Sequence, residues 1–535
     1  MRSLIISLIT LILLNIGLLH SQTWPKFYGE TNRIDRSKDI IETYDKGYLI
    51  LGGYQAFSWL IKTDINGNIL WEKIIDNYPR ELPTAQAIEA TSDGGVLVCG
   101  IALSGFSNKR CPFVMKLNAC GEKEWCKIFE GSPIDPSWAV DIKETVSGDI
   151  VVLVYQYGTL PEEAVHLFKL TADGDVLWKE PLATTYDHPG SAHKKGKRLI
   201  INNEGNYIIS GLGYWRHPWN PGPGVWLRPM FIKADSMGNE MWVLPFGLND
   251  TVVGKANHSL ALQNNAFLGS GYNWHASNMI EPMHFVYDNT GNELGFSIHK
   301  PDNINSLLSQ GSFETSQLTD IGVFSGGAFV NENGQIETIL DCMLDFDTNT
   351  YILEPFNHKL NLNGRQPYLN TLSHDKKLLT IYTYYHSSTN SDISLAKLNL
   401  NLEYDTAYAG NFTYDSLCIP GPPQSGFIYL EHCDIITSIE MPSAAEYRER
   451  ISHIPLTIYP NPATDRITFD LENTDHHRNI ELRCFNLLGL QQHHVSIYSG
   501  QKQASANVSA WPPGMYIAVV YSHGKPVGRE KFVVR

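Results

Sequence analysis

The chain has 535 residues, a formal net charge of −15, 11% aromatic and 18% charged residues, 43 glycines and 28 prolines. That length exceeds one ordinary core, and the composition suits many short strands joined by tight turns, which argues against a helical or disordered protein. The charge is spread without a long basic run, so no phosphate-binding surface and no nucleic-acid partner are expected.

The N-terminus, "MRSLIISLITLILLNIGLLHSQTW", carries one arginine, an apolar run from Leu4 to Leu19, and then small and polar residues. This is the order of a secretory signal peptide, with cleavage expected after Ser21 and with Leu19 and Ser21 at the positions the peptidase reads. The run barely reaches spanning length, so an uncleaved anchor is the alternative. No later segment is apolar enough to span a bilayer, and no cysteine marks a lipoprotein.

From residue 59 a phrase recurs: "WLIKTDINGNILWEK", "FVMKLNACGEKEWCKIF", "LFKLTADGDVLWKEPL", "FIKADSMGNEMWVLPF" and "HFVYDNTGNELGFSI". Each is an apolar strand, a polar tip with glycine in one slot, and a departing strand that usually carries tryptophan or phenylalanine. The glycines are Gly67, Gly121, Gly174, Gly238 and Gly291, at intervals of 54, 53, 64 and 53 residues. In two weaker copies Thr350 and Leu402 stand in the glycine slot. The oxygens of Asp64, Asn66 and Asn68 could ligate calcium, or the phrase could be a hairpin tip. The hairpin is preferred, because the same slot holds "NACGEK" and no bidentate glutamate follows.

Before each tip lies a nearly continuous apolar run after a turn, such as "DKGYLILGGY" or "SDGGVLVCGI", as expected of strands buried on both faces. With one more strand upstream, each repeat offers about four strands in roughly 55 residues, the size of a propeller blade. The expected fold is all-β: a β-propeller of about seven four-stranded blades over residues 22–410, followed by a small immunoglobulin-like β-sandwich. "TWPKFYG" is expected to complete the last blade and latch the ring. Six or eight blades remain open. The phrase "DINGNILW" resembles the repeat of quinoprotein-type (PQQ-like) propellers, whose D-x-x-G-x-x-x-W motif docks neighbouring blades. The resemblance implies architecture rather than redox chemistry, and no cofactor is expected.

The longest repeat, the fourth, holds "YWRHPWNPGPGVWLRP". Trp215, Arg216, His217, Trp219 and Trp226 lie there among prolines, a pattern that presents flat apolar faces to sugars or peptides. Trp274, in "YNWHASN", is expected to form an adjoining wall. Against this stands a packing role for the tryptophans on neighbouring blades. His217 and His275 are a weak metal pair, and no metal site is expected. The sequence has no G-x-S-x-G elbow, H-E-x-x-H, P-loop or Rossmann fingerprint, so no catalytic residue is named.

Residues 411–455 read as a disulfide-containing spacer and linker. Cys120 with Cys126, and Cys418 with Cys433, are the expected disulfides of an exported chain, while Cys484 is expected as a core thiol. Beyond residue 455 strand alternation returns in Ile467, Phe469 and Leu471 and in Ile480, Leu482 and Cys484. "LTIYPNPATDRITFDL", "FNLLGLQ", "SAWPPGMYIAVV" and "KFVVR" resemble the type A C-terminal sorting domain of the type IX secretion system, over residues 456–535. Tyr459, Pro460, Asn461, Pro462, Ala463 and Asp465 match its opening motif, Gly489 its turn glycine, and Gly514 and Tyr516 its G-x-Y strand. The resemblance implies export, contact with the secretion machinery and a sorting-domain peptidase, removal of the domain, and surface lipopolysaccharide attachment or release. The expected role is a secreted or outer-membrane-surface scaffold binding a glycan or protein ligand. The alternatives are a propeller hydrolase or lyase, and a structural surface component.

Overall fold

The computed structural model describes residues 24–54, 57–76, 84–103, 109–130, 137–156, 164–183, 194–216, 225–247, 252–262, 265–275, 279–298, 311–330, 336–344, 358–361, 366–406, 418, 424–430, 432–437, 441–447, 454–472, 474, 480–487, 489–498, 500–522 and 525–535. The expected signal peptide and its cleavage point at Ser21, together with His217, Trp219 and Thr350, lie outside the described residues. The chain divides into two compact units, Met1–Met441 and Pro442–Arg535.

In the first unit, seven antiparallel sheets follow one another along the described chain. The first holds Asp35–Glu42, Tyr48–Tyr54, Phe57–Thr63 and Ile69–Asp76, and the second Thr84–Ala90, Val96–Leu103, Arg110–Leu117 and Lys123–Glu130. The third runs from Ser137 to Leu182, the fourth from Lys194 to Pro245, the fifth from Gly254 to Ile298 and the sixth from Gly311 to Asn361. The seventh takes Gln366–Leu372, Leu378–Ser387 and Asn390–Leu398 from the end of the unit and Lys26–Tyr28 from its start. Residues "KFY" therefore latch the array, as their likeness to the strands leaving the tips suggested. Where the seventh sheet meets the first, Ser37 N donates to Thr383 Oγ1 at 3.2 Å and Ser391 Oγ donates to the Asp35 carbonyl at 2.9 Å. The sheets thus close into a β-propeller ring.

Each second strand is buried on both faces, which is why it reads as a continuous apolar run. In the first sheet Leu49 and Leu51 pack toward the second sheet, while Tyr48 and Ile50 pack toward the seventh. All four are wholly buried, each contributing about 1.5–3 kcal/mol relative to exposure.

The recurring tips are hairpin turns. Asp64 shows the pattern: its carboxylate accepts from the Asn66 and Asn68 amides at 2.8 Å, while Gly67 N donates to the Asp64 carbonyl at 3.1 Å. All five tip glycines have φ between 73° and 87°, and Leu402, in the same slot of the last copy, is also left-handed at 64°. Asp64 Oδ1 is thus engaged by backbone amides and Oδ2 by the Asn68 side-chain amide at 2.8 Å, in agreement with the hairpin reading. Across four successive gaps an indole from one sheet lies on the glycine of the next: Trp71 on Gly121, Trp125 on Gly174, Trp178 on Gly238 and Trp242 on Gly291. Trp24 covers Gly67. Trp71, Trp125 and Trp242 also donate Nε1 to the carbonyl two residues before the glycine, at 3.2, 3.1 and 3.0 Å.

The disulfide pairing differs from expectation. Cys120 joins Cys418 and Cys126 joins Cys433, with Cα separations of 5.3 and 4.8 Å. In the hairpin register Lys123 faces Leu117 and Cys126 faces Met115, so Cys126 sits about 10 Å down the strand from the tip that holds Cys120. That exceeds the reach of a disulfide. Both cysteines instead capture the segment after the ring. Gln424–Tyr429 adds a fifth, parallel strand to the first sheet and Asp434–Thr437 adds one to the second. Ile428 and Leu430 are buried in the core between these two sheets. The segment read as a spacer is therefore part of the ring's outer edge. Cys484 is a buried free thiol, as expected, and burial pushes its pKa up to about 12.

The second unit has two sheets: Leu456–Tyr459, Arg466–Leu471 and Gln503–Asn507 in one, and Ile480–Asn486, Gln491–Ile497, Gly514–Ser522 and Lys525–Val534 in the other. Ile467, Phe469 and Leu471 from the first meet Leu482, Cys484 and Val520 from the second in a shared core, which makes the unit a sandwich.

Two outcomes follow from this packing. Gly121→Val is expected to destabilise the ring by about 2 kcal/mol or more, because both the positive φ and the Trp71 indole, 2.9 Å from a Cβ built there, reject a branched side chain. Gly148→Val, at φ 84° with nothing within 4 Å, separates the two effects in parallel thermal melts. A chain ending at residue 410 should unfold at lower urea than one ending at 441, and reduction should raise hydrogen exchange in 424–437 before it does so in the ring.

Candidate functional site

The innermost strand of every sheet carries a β-bulge, between Ser37/Asp39, Ala85/Ala87, Ala139/Asp141, Gly196/Arg198, Ala256/His258, Phe313/Thr315 and Pro367/Leu369. In several sheets a second-strand glycine makes room for it. A Cβ at Gly211 or Gly271 would collide with the carbonyl of Lys195 or Lys255 on the inner strand. A bulge re-aims the side chains around it. Here it brings one residue from each of several sheets to a common level around the ring axis.

Asp39, Asp141 and Arg198 meet at that level. Arg198 Nη1 lies 3.4 Å from Asp39 Oδ2 and 3.5 Å from Asp141 Oδ1. Asp39 Oδ2 also accepts from Ile88 N on the second sheet at 3.0 Å, and Asp141 Oδ2 from Leu199 N on the fourth at 2.7 Å. Lys143 donates to Glu89 at 2.6 Å, and Lys38 donates to the Ala85 carbonyl at 2.9 Å. These contacts join the first sheet to the second, the second to the third, the third to the fourth, and the first to the fourth across the axis. Burial lifts the Asp39 carboxyl pKa, with Arg198 opposing and Asp141 adding. Burial also lifts Glu89, against Lys143. Burial, with Arg198 nearby, holds His258 down to about 3, and its Nδ1 has no hydrogen-bond partner among the described residues. Every carboxylate in this collar is engaged by a cation or a backbone amide, so the arrangement is a set of struts rather than a free acid–base pair. Among the described residues no group of three His, Cys, Asp or Glu could hold a metal ion.

The two ends of the ring differ. In the first five sheets the first-to-second and third-to-fourth strand connections share one compact turn with a five-residue hydrogen-bond pattern, as at 43–47, 91–95 and 235–239. At the opposite end most successive strand ends lie further apart in sequence, as from Leu182 to Lys194, Arg216 to Val225 and Ile298 to Gly311. At that end Arg33 pairs with Asp35 at 2.7 Å and lies 4.8 Å over Trp59, and His386 meets Asp392 at 2.8 Å. Burial raises the Asp35 pKa, with Arg33 opposing and Asp392 adding.

Of the aromatic candidates, Trp274 is 44% exposed near the end of Ala266–His275. Trp215 and Arg216 end the strand Tyr207–Arg216, and Trp226 faces Trp215 in its register with Val225–Ala234. Positions 215 and 226 share the sheet face of Tyr207, which meets Trp178 of the third sheet. Trp274 shares the face of Leu268, which packs toward the sixth sheet. The register does not place these two positions on facing surfaces.

In the C-terminal unit the motif residues grip the final strand. Asn461 Oδ1 accepts from Val533 N at 2.9 Å, Ala463 N donates to the Val533 carbonyl and Arg535 N to the Ala463 carbonyl, both at 2.9 Å. The Tyr459–Pro460 and Asn461–Pro462 bonds are cis. Val508 N donates to the Asp465 carbonyl at 2.8 Å. Tyr516 donates to the Pro512 carbonyl at 2.6 Å and stacks on Phe532. Gly489 turns at φ 79°, and Gly514 opens the strand that pairs with the chain end.

Sequence reasoning missed the collar, because each member comes from a different repeat and no local motif joins them. A signal existed: "KDII", "VDIK" and "KRLI" place a charged residue immediately before an apolar one in the same slot. It also missed a recurring ion pair between a third-strand lysine and the acidic residue of the first turn, seen in Lys62–Asp45 (2.8 Å), Lys116–Asp93, Lys169–Asp149 (3.1 Å), Lys233–Glu204 (3.6 Å) and Lys397–Asp375 (2.8 Å).

Residues 457–535 match the family of secretion system C-terminal sorting domains. No curated protein matches the chain. Among solved structures, a protein from Lactobacillus plantarum is similar at 10% identity and a TM-score of 0.41, covering 70% of this chain and 94% of its own. Drosophila Plexin A, in complex with Semaphorin 1b, is similar at 9% identity and 0.39, covering 69% and 86%. The β-propeller domain of the Trilobed protease from Pyrococcus furiosus is similar at 10% identity and 0.36, covering 73% and 100%. Likenesses this distant do not bear on ligand or activity. Among the described residues no helix is long and apolar enough to cross a membrane. The C-terminal match indicates export by the type IX system and contact with its machinery.

Arg198→Met leaves Asp39 and Asp141 without their shared cation and should cost about 3 kcal/mol or more of ring stability near neutral pH. The deficit should shrink in acid, where protonation of Asp39 removes uncompensated charge; denaturant titrations at several pH values measure both effects. The imidazole of His258 should stay neutral down to about pH 5, read by NMR of its ring nitrogens.

Proposed function

We propose that the chain is an exported recognition protein, a seven-bladed propeller whose loop-bearing end binds a glycan or protein ligand. The observation that carries this reading is the asymmetry of the ring: in the first five sheets one end carries a repeated tight turn, while at the other end most successive strands are separated by longer stretches of sequence and Trp274 stands half-exposed. Loops held on a rigid scaffold are where binding residues concentrate. The tryptophan-on-glycine repeat supports kinship of architecture with quinoprotein-type propellers. The sorting tail supports passage across the inner membrane by a signal peptide cleaved after Ser21 and across the outer membrane by the type IX system. Release of an immunoglobulin-like sorting domain would follow, with the ring left on surface lipopolysaccharide or set free. The collar carboxylates, tied to Arg198, Lys143 and backbone amides, favour recognition over hydrolysis.

The test is a binding screen of the mature chain against surface glycans and peptides, scored for binding and cleavage, with Trp215→Ala, Trp219→Ala and Trp274→Ala variants. Binding that weakens in a tryptophan variant without turnover is the expected result. Cleavage would replace this reading with the hydrolase or lyase, and no binding would replace it with a structural role. Deleting 456–535 should hold the protein in the periplasm, read by fractionation; surface display of the truncated chain would refute the sorting role.

A further inference from the structure

In a chain of net charge −15, the inner strands of the fourth and fifth sheets, which pack against each other, carry Lys195, Lys197 and Lys255. The bulges set the geometry. Lys197 is the extra residue between Gly196 and Arg198, and it is exposed. Lys195 and Lys255 occupy equivalent positions, each one residue before the start of its sheet's bulge. Lys195 Nζ lies 5.0 Å from the Tyr155 ring centroid and Lys255 Nζ lies 6.0 Å from that of Tyr272. None of the three lysines makes an ion pair among the described residues, in contrast to the third-strand lysines that each meet a carboxylate.

The surroundings of Lys255 are Lys195, Lys197 and Tyr214 from the fourth sheet, Tyr272 of its own sheet and Glu314 from the sixth. Burial lowers the Lys255 pKa to about 7, Lys197 adds to the effect and Glu314 opposes it. Three ammonium groups against one carboxylate leave a net positive cluster, which is costly unless an anion completes it. Two residues beyond Tyr272 on the same strand face stands the exposed indole of Trp274. A flat apolar face beside converging ammonium groups matches a sugar ring that bears a carboxylate.

We infer that this end of the ring binds an acidic, uronate-type sugar, with Lys197 and Lys255 taking the carboxylate and Trp274 the pyranose face. The inference rests on the binding role proposed above and names its ligand class. Binding requires the Lys255 ammonium, so affinity should fall several-fold as pH rises from about 6 to 9.

The experiment is calorimetric titration of the mature full chain with galacturonate oligosaccharides, the matching neutral galactose oligosaccharides, inorganic phosphate and a glutamate-rich peptide. Wild type is compared with Lys197→Gln, Lys255→Gln and Trp274→Ala. Lys197 is exposed, so its variant should fold normally, and thermal melts check all three. Expected are a uronate preference over the neutral sugar of about tenfold or more, a similar loss in each lysine variant, and proton uptake on binding near pH 7.5. Equal affinity for the neutral sugar would overturn the acidic-sugar site while leaving glycan recognition standing. Phosphate or the peptide binding as tightly as uronate would overturn the sugar assignment. No binding of any probe would overturn this inference together with the recognition role for these ligand classes.

Discussion

The ring depends on an indole resting on a glycine. Each four-stranded sheet has two apolar faces and cannot bury either alone, so neighbours must meet at a fixed height and angle. The tip glycine supplies both the left-handed turn and the missing Cβ that lets the preceding sheet's tryptophan lie flat on the backbone. Where the Nε1 bond to the tip carbonyl forms, it adds direction to a contact that apolar burial leaves undirected. Trp178 shows the contact outlasting the bond: Tyr207 already donates to the Ser236 carbonyl, and the buried Trp178 Nε1 has no partner among the described residues.

Inside this frame the collar works differently. Asp39, Asp141 and Arg198 are costly to bury singly and tolerable together, since each desolvated charge meets an opposite charge or a backbone amide. Such contacts select one mutual arrangement of the inner strands more than they add net stability. Beside the same bulges that aim the collar inward, Lys195, Lys197 and Lys255 have no ion-pair partner among the described residues, so one local backbone device accompanies both a closed electrostatic girdle and a cluster of unneutralised cations.

Two further elements explain residues that are otherwise isolated in the chain. The paired disulfides hold a post-ring strand along the outer edges of the first two sheets, where an unpaired edge would otherwise face solvent. In the C-terminal unit, Asn461 and Ala463 bind the last strand backbone to backbone. The opening motif and the terminal "KFVVR" are thus two halves of one interaction, which accounts for their joint presence.

The all-β class, the repeat length, the hairpin tips and the sorting tail were legible in the sequence because each rests on local chemistry: a glycine needing positive φ, a buried strand needing consecutive apolar residues, a motif of adjacent residues. Leu402 in the glycine slot, left-handed like the glycines it replaces, shows how closely that local pattern tracks the backbone. The disulfide partners were not legible, because nearness in sequence points to Cys120 with Cys126 and Cys418 with Cys433, while the strap at 424–437 returns to the ring about 300 residues after Cys120 and Cys126. The collar was hidden for the same reason. Its members are single residues spaced a repeat apart, and only ring closure brings Asp39 to Arg198. Sequence by itself determined which strands and turns form, since those follow from contacts within a few residues. Tertiary structure alone decided which charges and cysteines meet, since those contacts exist only after the chain has travelled around the ring.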